Sequence, residues 1–282
     1  MKRTVGGLVG LGYQVKAICQ ALGVSRSGYY RNGSGGGIKP ALDSALLTRI
    51  TRLCSFHPFW GYRRITAWLK YRENLRVNHK RVYGLMRKHH LTVPRKLYLA
   101  KRRPDTKKPV PTCANQWWGI DMTKFMVEGL GWVYLTVVED WYTRKILGYH
   151  LGTRSKSPDW LKALESAVSS ACPAGSRDYH LHLMSDNGSQ PTSVSFMRAC
   201  SVLGIKQAFT AYNNPLGNAN TERLIRTIKE ELVWVNEFKS LEEVETKLKE
   251  WVEDYNHYYP HSALGYRSPE EFQAQNRIEK AA

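Results

Sequence analysis

The sequence has few of the features that mark secreted, membrane or zinc-binding proteins. It has five cysteines in 282 residues, and none of them forms a Cys-x-x-Cys pair. This scatter excludes a disulfide framework and a zinc ribbon, so reduced and mostly buried cysteines are expected. Lys2-Arg3 is followed by a short glycine-rich stretch that is unlike a signal peptide, and no apolar run approaches bilayer length. The expected compartment is the cell interior, with no membrane partner.

Acidic residues are scarce in the first 110 positions. That part has 24 Lys and Arg against three acids, a net charge of +21, whereas residues 111–282 have 18 Lys and Arg against 21 acids, a net charge of −3. A basic segment joined to a near-neutral one indicates that the first binds a polyanion and the second acts on it. A solvated basic surface or a membrane-attracted tail is the plainer alternative. The spread of this excess among aromatic and apolar positions disfavours that alternative.

The basic part begins with a predicted helix-turn-helix DNA-binding segment over residues 1–31. Within residues 14–31, Gly23 stands where a tight turn needs it, and Ser25 can cap a second helix that presents Arg26. A generic helical hairpin explains this stretch equally well. The glycine- and serine-rich residues 32–39 predict a flexible linker.

A second helical DNA-binding module is predicted over residues 40–93. Apolar residues recur there at helical spacing, and Asn78 is a suitable N-cap for the last helix. Its basic residues are candidates for DNA contacts: Arg63, Arg64, Lys80, Arg81, Arg87 and Lys88. Residues 94–113 form a basic, proline-rich connector, in which Arg102 and Arg103 could follow a phosphate backbone.

From Asn115 onward the pattern becomes that of an α/β domain, predicted over residues 114–275. Strands are predicted at 116–126, 131–139, 143–150, 180–185 and 205–209, and helices at 158–171, 191–203, 221–235 and 240–257. Three strands in a meander, followed by alternating helices and strands, predict a mixed sheet flanked by helices.

Three carboxylates are the candidates for chemistry in this domain. Asp121 lies within a predicted strand, Asp186 ends another, and Glu222 opens a helix after 35 intervening residues. Acids on two strands and one helix can converge on divalent metal and act on phosphodiesters. Any one of them alone is better explained as a cap, turn or surface residue.

These acids have flanking motifs that resemble a known family. The motifs are Ser-Asp-Asn-Gly-Ser at 185–189, Asn218-x-Asn220-x-Glu222 and Pro-His-Ser-Ala-Leu-Gly-Tyr-Arg-Ser-Pro at 260–269. They resemble the OrfB-type DDE transposases of bacterial insertion sequences, which are relatives of retroviral integrases. Residues 61–65 and 77–86 are similar to the helical module before the catalytic core in that family, and the resemblance covers residues 14–272.

The resemblance implies a fold and an activity. The expected fold is an RNase H-like mixed five-stranded sheet flanked by helices and preceded by small all-α helix-turn-helix modules. The expected enzyme is a polynucleotidyl transferase that binds terminal inverted repeats and catalyses Mg²⁺-dependent cleavage and transfer of DNA strands. Asp121 would bridge two Mg²⁺ ions, and Asp186 and Glu222 would each complete one shell, with Mn²⁺ able to substitute. A catalytically idle DNA-binding regulator, and an RNase H-like nuclease that cuts without joining, are the alternatives.

The resemblance also implies supporting residues near the three acids. Lys229, two helical turns after Glu222, would bind a DNA phosphate; a solvent lysine that pairs with Glu230 or Glu231 is nearly as good an explanation. Asn187 and Asn220 would orient metal ligands or touch DNA, with turn and cap roles as equal alternatives. A fourth acid, Asp140, is assigned to a strand turn, in a pair with Arg144 or Lys145. His180 and His182 are expected to be ordinary strand residues.

Partners and location follow from the same resemblance. The expected partners are double-stranded DNA, as element ends and as target, and further copies of the chain, at least a dimer on DNA. The family commonly joins an upstream reading frame to this one, so an upstream-frame protein or fusion is a further expected partner. The expected location is the bacterial cytoplasm, in association with the nucleoid. Gly84 stands where the family usually has arginine.

Overall fold

A computed structural model describes residues 2–26, 39–93, 109–210 and 215–281 of the chain. The chain divides into two units. The first unit comprises Met1–Phe56 and Val77–Thr92, and the second comprises His57–Arg76 and Val93–Ala282. The helical module predicted over residues 40–93 is therefore shared between the two units. The predicted linker 32–39 lies almost wholly outside the described residues, as do residues 94–108 of the predicted connector.

The N-terminal part of the chain is helical. Its helices are α1 (Lys2–Gly10), α2 (Val15–Ala21), α3 (Lys39–Phe56), α4 (Tyr62–Tyr71) and α5 (His79–Lys88). Helix α1 was not predicted, because its glycines obscure the apolar spacing; it forms by packing Val5 against Ile18 and Cys19 of α2. Gly23 adopts a φ of 62° after α2, in agreement with the predicted turn. Residues 27–31, most of the predicted second helix, lie outside the described residues.

Helices α3 and α5 pack within the first unit as their apolar spacing predicts. Ile50 of α3 and Val82 and Met86 of α5 are fully buried. The side chain of Asn78 accepts the backbone N–H of Lys80 at 2.9 Å, which confirms the predicted N-cap of α5.

The second unit is built on a five-stranded mixed sheet. Its strands are β1 (Trp117–Val127), β2 (Gly131–Asp140), β3 (Ile146–Gly152), β4 (His182–Ser185) and β5 (Lys206–Phe209). Their spatial order is β3-β2-β1-β4-β5. Strands β1, β2 and β3 pair antiparallel, whereas β4 pairs in parallel with both β1 and β5. The predicted meander and mixed sheet are confirmed.

Helices flank this sheet. They are α6 (Ser157–Ala171), α7 (Val194–Val202), α8 (Ala219–Ile228), α9 (Leu241–Tyr258) and α10 (Pro269–Ala281). Trp118 and Ile120 of β1 join a buried cluster with Trp160 of α6 and Phe196 of α7. These even-numbered residues of β1 therefore face α6 and α7, and the odd-numbered residues face the opposite side. None of the described helices is long and apolar enough to cross a membrane.

Three details of the second unit differ from the prediction. Helix α10, Pro269–Ala281, is absent from the predicted helices. The helix predicted over 221–235 is interrupted, because α8 ends at Ile228 and is followed by a π-helical turn at Lys229–Val233. His180 adopts a left-handed conformation with a φ of 49°, so β4 begins at His182 instead of residue 180. Apolar periodicity in the sequence cannot predict a change from α-helical to π-helical hydrogen bonding. It cannot predict a single residue in the left-handed conformation either.

Candidate active site

The register of the sheet brings Asp121 and Asp186 together. Strands β1 and β4 are parallel, and Gly119 of β1 is level with Met184 of β4. Two residues further along, β1 carries Asp121, and the chain leaving β4 carries Asp186. Because adjacent strands lie about 4.8 Å apart, the two carboxylates start from neighbouring positions at the same level of the sheet.

Helix α8 brings Glu222 to the same place. Gly119 lies on the face of β1 that α8 covers, and a Cβ atom there would overlap the Thr221 hydroxyl and the Trp141 indole. The side-chain amide of Asn218, at the N-cap of α8, donates to the Ile120 carbonyl at 3.4 Å. The first turn of α8 is thus held against β1 beside Asp121, and Glu222 follows Thr221 in that turn.

The pKa of Asp121 also indicates that Asp186 and Glu222 lie near it. The pKa of Asp121 is raised to about 7, mainly by burial and also by the nearby charges of Asp186 and Glu222. The Met122 N–H, which donates to Asp121 Oδ1 at 2.8 Å, and the Lys229 ammonium act in the opposite direction. A carboxyl group that is desolvated and repelled by two other acids is stabilised by a bound cation.

The donor chemistry of this group fits a hard divalent cation. Asp121, Asp186 and Glu222 offer carboxylate oxygens, which Mg²⁺ prefers, and the nearby Lys229 can meet the phosphate that accompanies the ion. Within the described ranges, no three His, Cys, Asp or Glu side chains are placed to hold one metal ion. A two-ion site divides its ligands between the ions, so it does not require three acids on a single ion.

Asn187 and Asn218 support the loops that carry the acids. Asn187 Nδ2 donates to the Thr210 carbonyl at 2.6 Å, which ties the segment after β4 to the residue that follows β5. Asp186 Oδ1 accepts the Gly188 N–H at 3.1 Å. Asn218 donates to the Ile120 carbonyl of β1. Asn220 is the second residue of α8 and is half-buried. Asn187 therefore links two segments of the second unit, and its predicted roles toward metal ligands, DNA or a turn stay predictions.

Asp140 has the predicted turn role but different partners. Its carboxylate is 1% exposed and accepts the backbone N–H groups of Asn115 and Tyr142, each at 2.7 Å. The predicted pairing partners are engaged elsewhere: Arg144 lies 4.0 Å from Glu139, and Lys145 pairs with Glu270. The correction follows from burial, because a buried carboxylate at a tight turn is satisfied by nearby backbone amides.

The predicted DNA contacts are placed unevenly. Lys229 lies in electrostatic range of Asp121. Arg64 instead packs inward, 3.8 Å from Glu231 and 4.9 Å from the centre of the Tyr259 ring. Arg81 is paired with Asp43 at 2.6 Å. The remaining described candidates are exposed: Arg26, Arg63, Lys80, Arg87 and Lys88. Arg102 and Arg103 lie outside the described residues.

Sequence reasoning missed the residues that hold the acids in place. Gly119, Asn218, Thr221 and Trp141 fix α8 against β1, and the Trp141 Nε1 donates to Thr221 Oγ1 at 3.1 Å. Asn218 stands in the motif Asn218-x-Asn220-x-Glu222, and Gly119 carried a signal of its own, since a glycine inside a strand often marks the close approach of another element.

Comparison with known proteins agrees with this architecture. Two models of the Integrase core domain match residues 111–215 and 203–269, and an HTH-like domain model matches residues 41–97. The Transposase InsD for insertion element IS2A/D/F/H/I/K of Escherichia coli is 28% identical over 240 residues, which cover 82% of this chain and 78% of that protein.

A solved structure shares the fold. In the cryoEM structure of the simian T-cell lymphotropic virus intasome in complex with PP2A regulatory subunit B56 gamma, one chain superposes with a TM-score of 0.50 and 18% identity. The match covers 79% of this chain and 74% of that one. At this identity the likeness shows the fold alone.

Fold and comparisons together define an integrase core with an RNase H-like sheet and an HTH-like domain on its N-terminal side. The chain is similar to an insertion-sequence transposase and contains an integrase-like core, which supports a polynucleotidyl-transferase-type DNA enzyme.

Proposed function

We propose that this chain binds the terminal inverted repeats of an insertion element and catalyses DNA strand cleavage and strand transfer with Asp121, Asp186 and Glu222. The grouping of Asp186, Glu222 and Lys229 around the half-buried Asp121 supports this proposal most strongly. A partly desolvated carboxyl that two neighbouring acids repel is costly to ionise unless a bound ligand needs it.

Divalent metal is the ligand that these acids fit. Asp121, at the centre of the group, would be shared between two Mg²⁺ ions, and Asp186 and Glu222 would each contribute to one of them, with Mn²⁺ able to replace Mg²⁺. When bound, the ions activate the attacking oxygen and stabilise the leaving oxygen at phosphorus. Asp121 must give up the proton that its raised pKa retains before it can act as a ligand.

Lys229 has two tasks in this proposal. Its ammonium lowers the pKa of Asp121 and so favours the ionised form of that carboxyl. It also offers positive charge to a DNA phosphate beside the acids. The two acids named as its alternative partners make other contacts, since Glu230 accepts from Arg226 at 2.8 Å and Glu231 accepts from Trp60 at 2.9 Å.

The rest of the chain supplies the DNA-binding part of the proposal. Residues 41–97, which match the HTH-like domain, are suited to bind the element ends. The positive charge of the first 110 residues is suited to bind DNA phosphates. Reaction at two ends of one element requires two active sites, so we expect the chain to assemble at least as a dimer on DNA.

The test is a cleavage assay on DNA that contains the element end, with Mg²⁺, for the wild type and Asp186→Asn. We expect the wild type to nick at the end and the variant to bind the same DNA without nicking. Asp178→Asn, an exposed acid in the one-turn helix Arg177–Tyr179, is the matched control and should cut normally.

Two outcomes would replace the proposal with another function. A wild-type protein that binds the end but never nicks it would be a regulator. A protein that nicks but does not join pre-cut ends to target DNA in a strand-transfer assay would be a nuclease.

A further inference from the structure

A buried acid outside the metal-binding group, Glu231, lies in the π-helical turn that follows α8. Its side chain is 4% exposed, and its Oε1 accepts both the Trp60 indole N–H and the Tyr259 hydroxyl at 2.9 Å. Arg64 and His57 approach it at 3.8 and 3.7 Å. We call these five residues the Glu231 cluster. Such a buried carboxylate is stable only while its donors stay in place, so the cluster fixes the elements that it joins.

The cluster attaches residues 57–76, here called the arm, to the rest of the second unit. Trp60 is 1% exposed and stacks on His57, with ring centres 3.8 Å apart. At the other end of the arm, Arg72 forms a two-pronged ion pair with Glu271, with a distance of 2.9 Å for Nη2 and Oε2. Helix α4 also buries Ile65 completely. The arm is thus attached through the Glu231 cluster at one end and through Arg72 at the other.

The arm also carries a residue suited to DNA. It lies inside the HTH-like match of residues 41–97, and Arg63 on it is exposed, beside the Tyr62 ring and hydroxyl. A segment of the HTH-like domain is therefore built into the unit that contains the three acids. Arg63 is exposed, whereas the next residue of the same helix, Arg64, lies 3.8 Å from Glu231.

The backbone connects Glu231 directly to the active site. Glu231 lies in the π-helical turn Lys229–Val233, immediately after α8, and the Trp234 N–H donates to the Lys229 carbonyl at 2.8 Å. The turn thus holds Lys229 at its start and Glu231 at its centre. Turns of this kind are frequent at functional sites, where they re-aim side chains within a helix.

We propose that Glu231 is a positioning residue for DNA cleavage. It fixes the arm with Arg63 to the helix with Glu222 and Lys229, so that a DNA backbone held by Arg63 meets the carboxylates in one register. Glu231 itself contacts no reacting atom. The inference rests on the proposed function and adds to it a role for a residue outside the metal-binding group.

The experiment compares Glu231→Gln with Glu230→Gln in the full-length chain. Glu230 is the matched control, because it is adjacent and its described ion pair is with Arg226 on the same helix face. The readouts are melting temperature, Mn²⁺ affinity, affinity for end DNA, and single-turnover cleavage at saturating DNA. For Glu231→Gln we expect Mn²⁺ affinity within about twofold of the wild type and cleavage reduced about tenfold or more. Glu230→Gln should match the wild type in both.

Trp60→Phe is a second variant that disrupts the Glu231 cluster, for use if Glu231→Gln folds poorly. It removes the indole N–H that Glu231 accepts but keeps an aromatic ring for His57 to stack on. We expect the same pattern, with intact metal binding and slower cleavage.

A double-mutant cycle of Glu231→Gln with Arg63→Ala tests whether Glu231 affects cleavage through the DNA contact of Arg63. If Glu231 acts by placing the DNA that Arg63 holds, Glu231→Gln should slow cleavage by about twofold or less in the Arg63→Ala background. A full additional loss there overturns the proposed route, and Glu231→Gln and Trp60→Phe proteins that cut as fast as Glu230→Gln overturn the positioning role. A wild type that binds the end without cutting it instead overturns the underlying proposed function.

Discussion

At the residue scale, Asp121 differs from the other two acids in its surroundings. Asp186 and Glu222 are exposed, whereas Asp121 lies within the sheet and carries a pKa of about 7. The sequence could locate all three acids, because each stands in a recognisable local context. It could not give the raised pKa, which arises from contacts among residues up to a hundred positions apart.

The pKa of Asp121 makes the stability of the metal-free protein depend on pH. The folded-state pKa lies above the ordinary value of 3.8, so the folded state keeps a proton that the unfolded chain releases. The contribution of Asp121 to stability is therefore highest below about pH 4, falls as the pH rises to about 7, and is level above that. Asp121→Asn should remove this dependence and be more stable than the wild type at about pH 8, by about 1–3 kcal/mol.

Denaturant unfolding in the presence of a chelator, across this pH range, measures the effect. Asp178→Asn serves as the control for loss of an exposed acid. A wild type that gains stability relative to Asp121→Asn between about pH 5 and pH 8 would contradict the assigned pKa.

The same proton competes with metal. Because Asp121 must ionise to act as a ligand, Mn²⁺ affinity should rise with pH by up to about tenfold per unit until about pH 7, and then level off. Isothermal titration calorimetry at several pH values measures this directly. An affinity that does not change between about pH 5.5 and pH 8 would show that Asp121 is not a ligand.

At the element scale, the fit of α8 against β1 sets the geometry of the site. Strands β1 to β5 and helices α6, α7 and α9 follow from apolar periodicity, and their predicted bounds agree with the structure within a few residues, whereas α8 ends at Ile228 instead of residue 235. Periodicity does not report the closeness of two elements. The approach of Thr221 to Gly119, and the π-helical turn after α8, depend on tertiary contacts that no local pattern contains.

Gly119→Ala tests the close approach of α8 to β1. An added methyl group would overlap the Thr221 hydroxyl and the Trp141 indole, so α8 must shift outward with Glu222. We expect a loss of about 1–3 kcal/mol in stability and a marked loss of Mn²⁺ affinity. Gly61→Ala is the control, since nothing lies within 4 Å of its Cβ position. Equal behaviour of the two variants would contradict the tight fit.

Gly84→Ala should stabilise the protein, in contrast to Gly119→Ala. Gly84 lies inside α5, and no atom lies within 4 Å of its Cβ position. A helical glycine with free space costs about 0.5–1 kcal/mol relative to alanine, so the variant should be more stable by that amount. Thermal unfolding of the full chain measures the gain. A lower melting temperature would show that this position contacts something in the folded protein.

At the scale of the whole molecule, the chain passes between its two units three times. It leaves the first unit after Phe56, contributes the arm to the second, returns at Val77, and leaves again after Thr92. The acids and the sheet lie in one contiguous stretch, which a sequence pattern can delimit. The arm is far from them in sequence, and for that reason the prediction grouped it with its neighbours in the helical module.

Removal of the arm should weaken the second unit. A fragment of residues 109–281 would lack Trp60 and Arg72 and leave Glu231 without its indole donor. We expect it to melt below the full chain. A fragment with the full-length melting temperature would show that the arm contributes nothing to the unit's stability.

The position of the arm in the sequence also determines the order in which the protein can fold. Trp60 is synthesised 171 residues before Glu231, and Arg72 is synthesised 199 residues before Glu271. At about 5–20 residues per second, the arm waits roughly 10 to 40 s for these partners to leave the ribosome. During that interval Trp60 lacks Glu231 and Tyr259, and Arg72 lacks Glu271. The catalytic unit is therefore completed only when nearly the whole chain has been made.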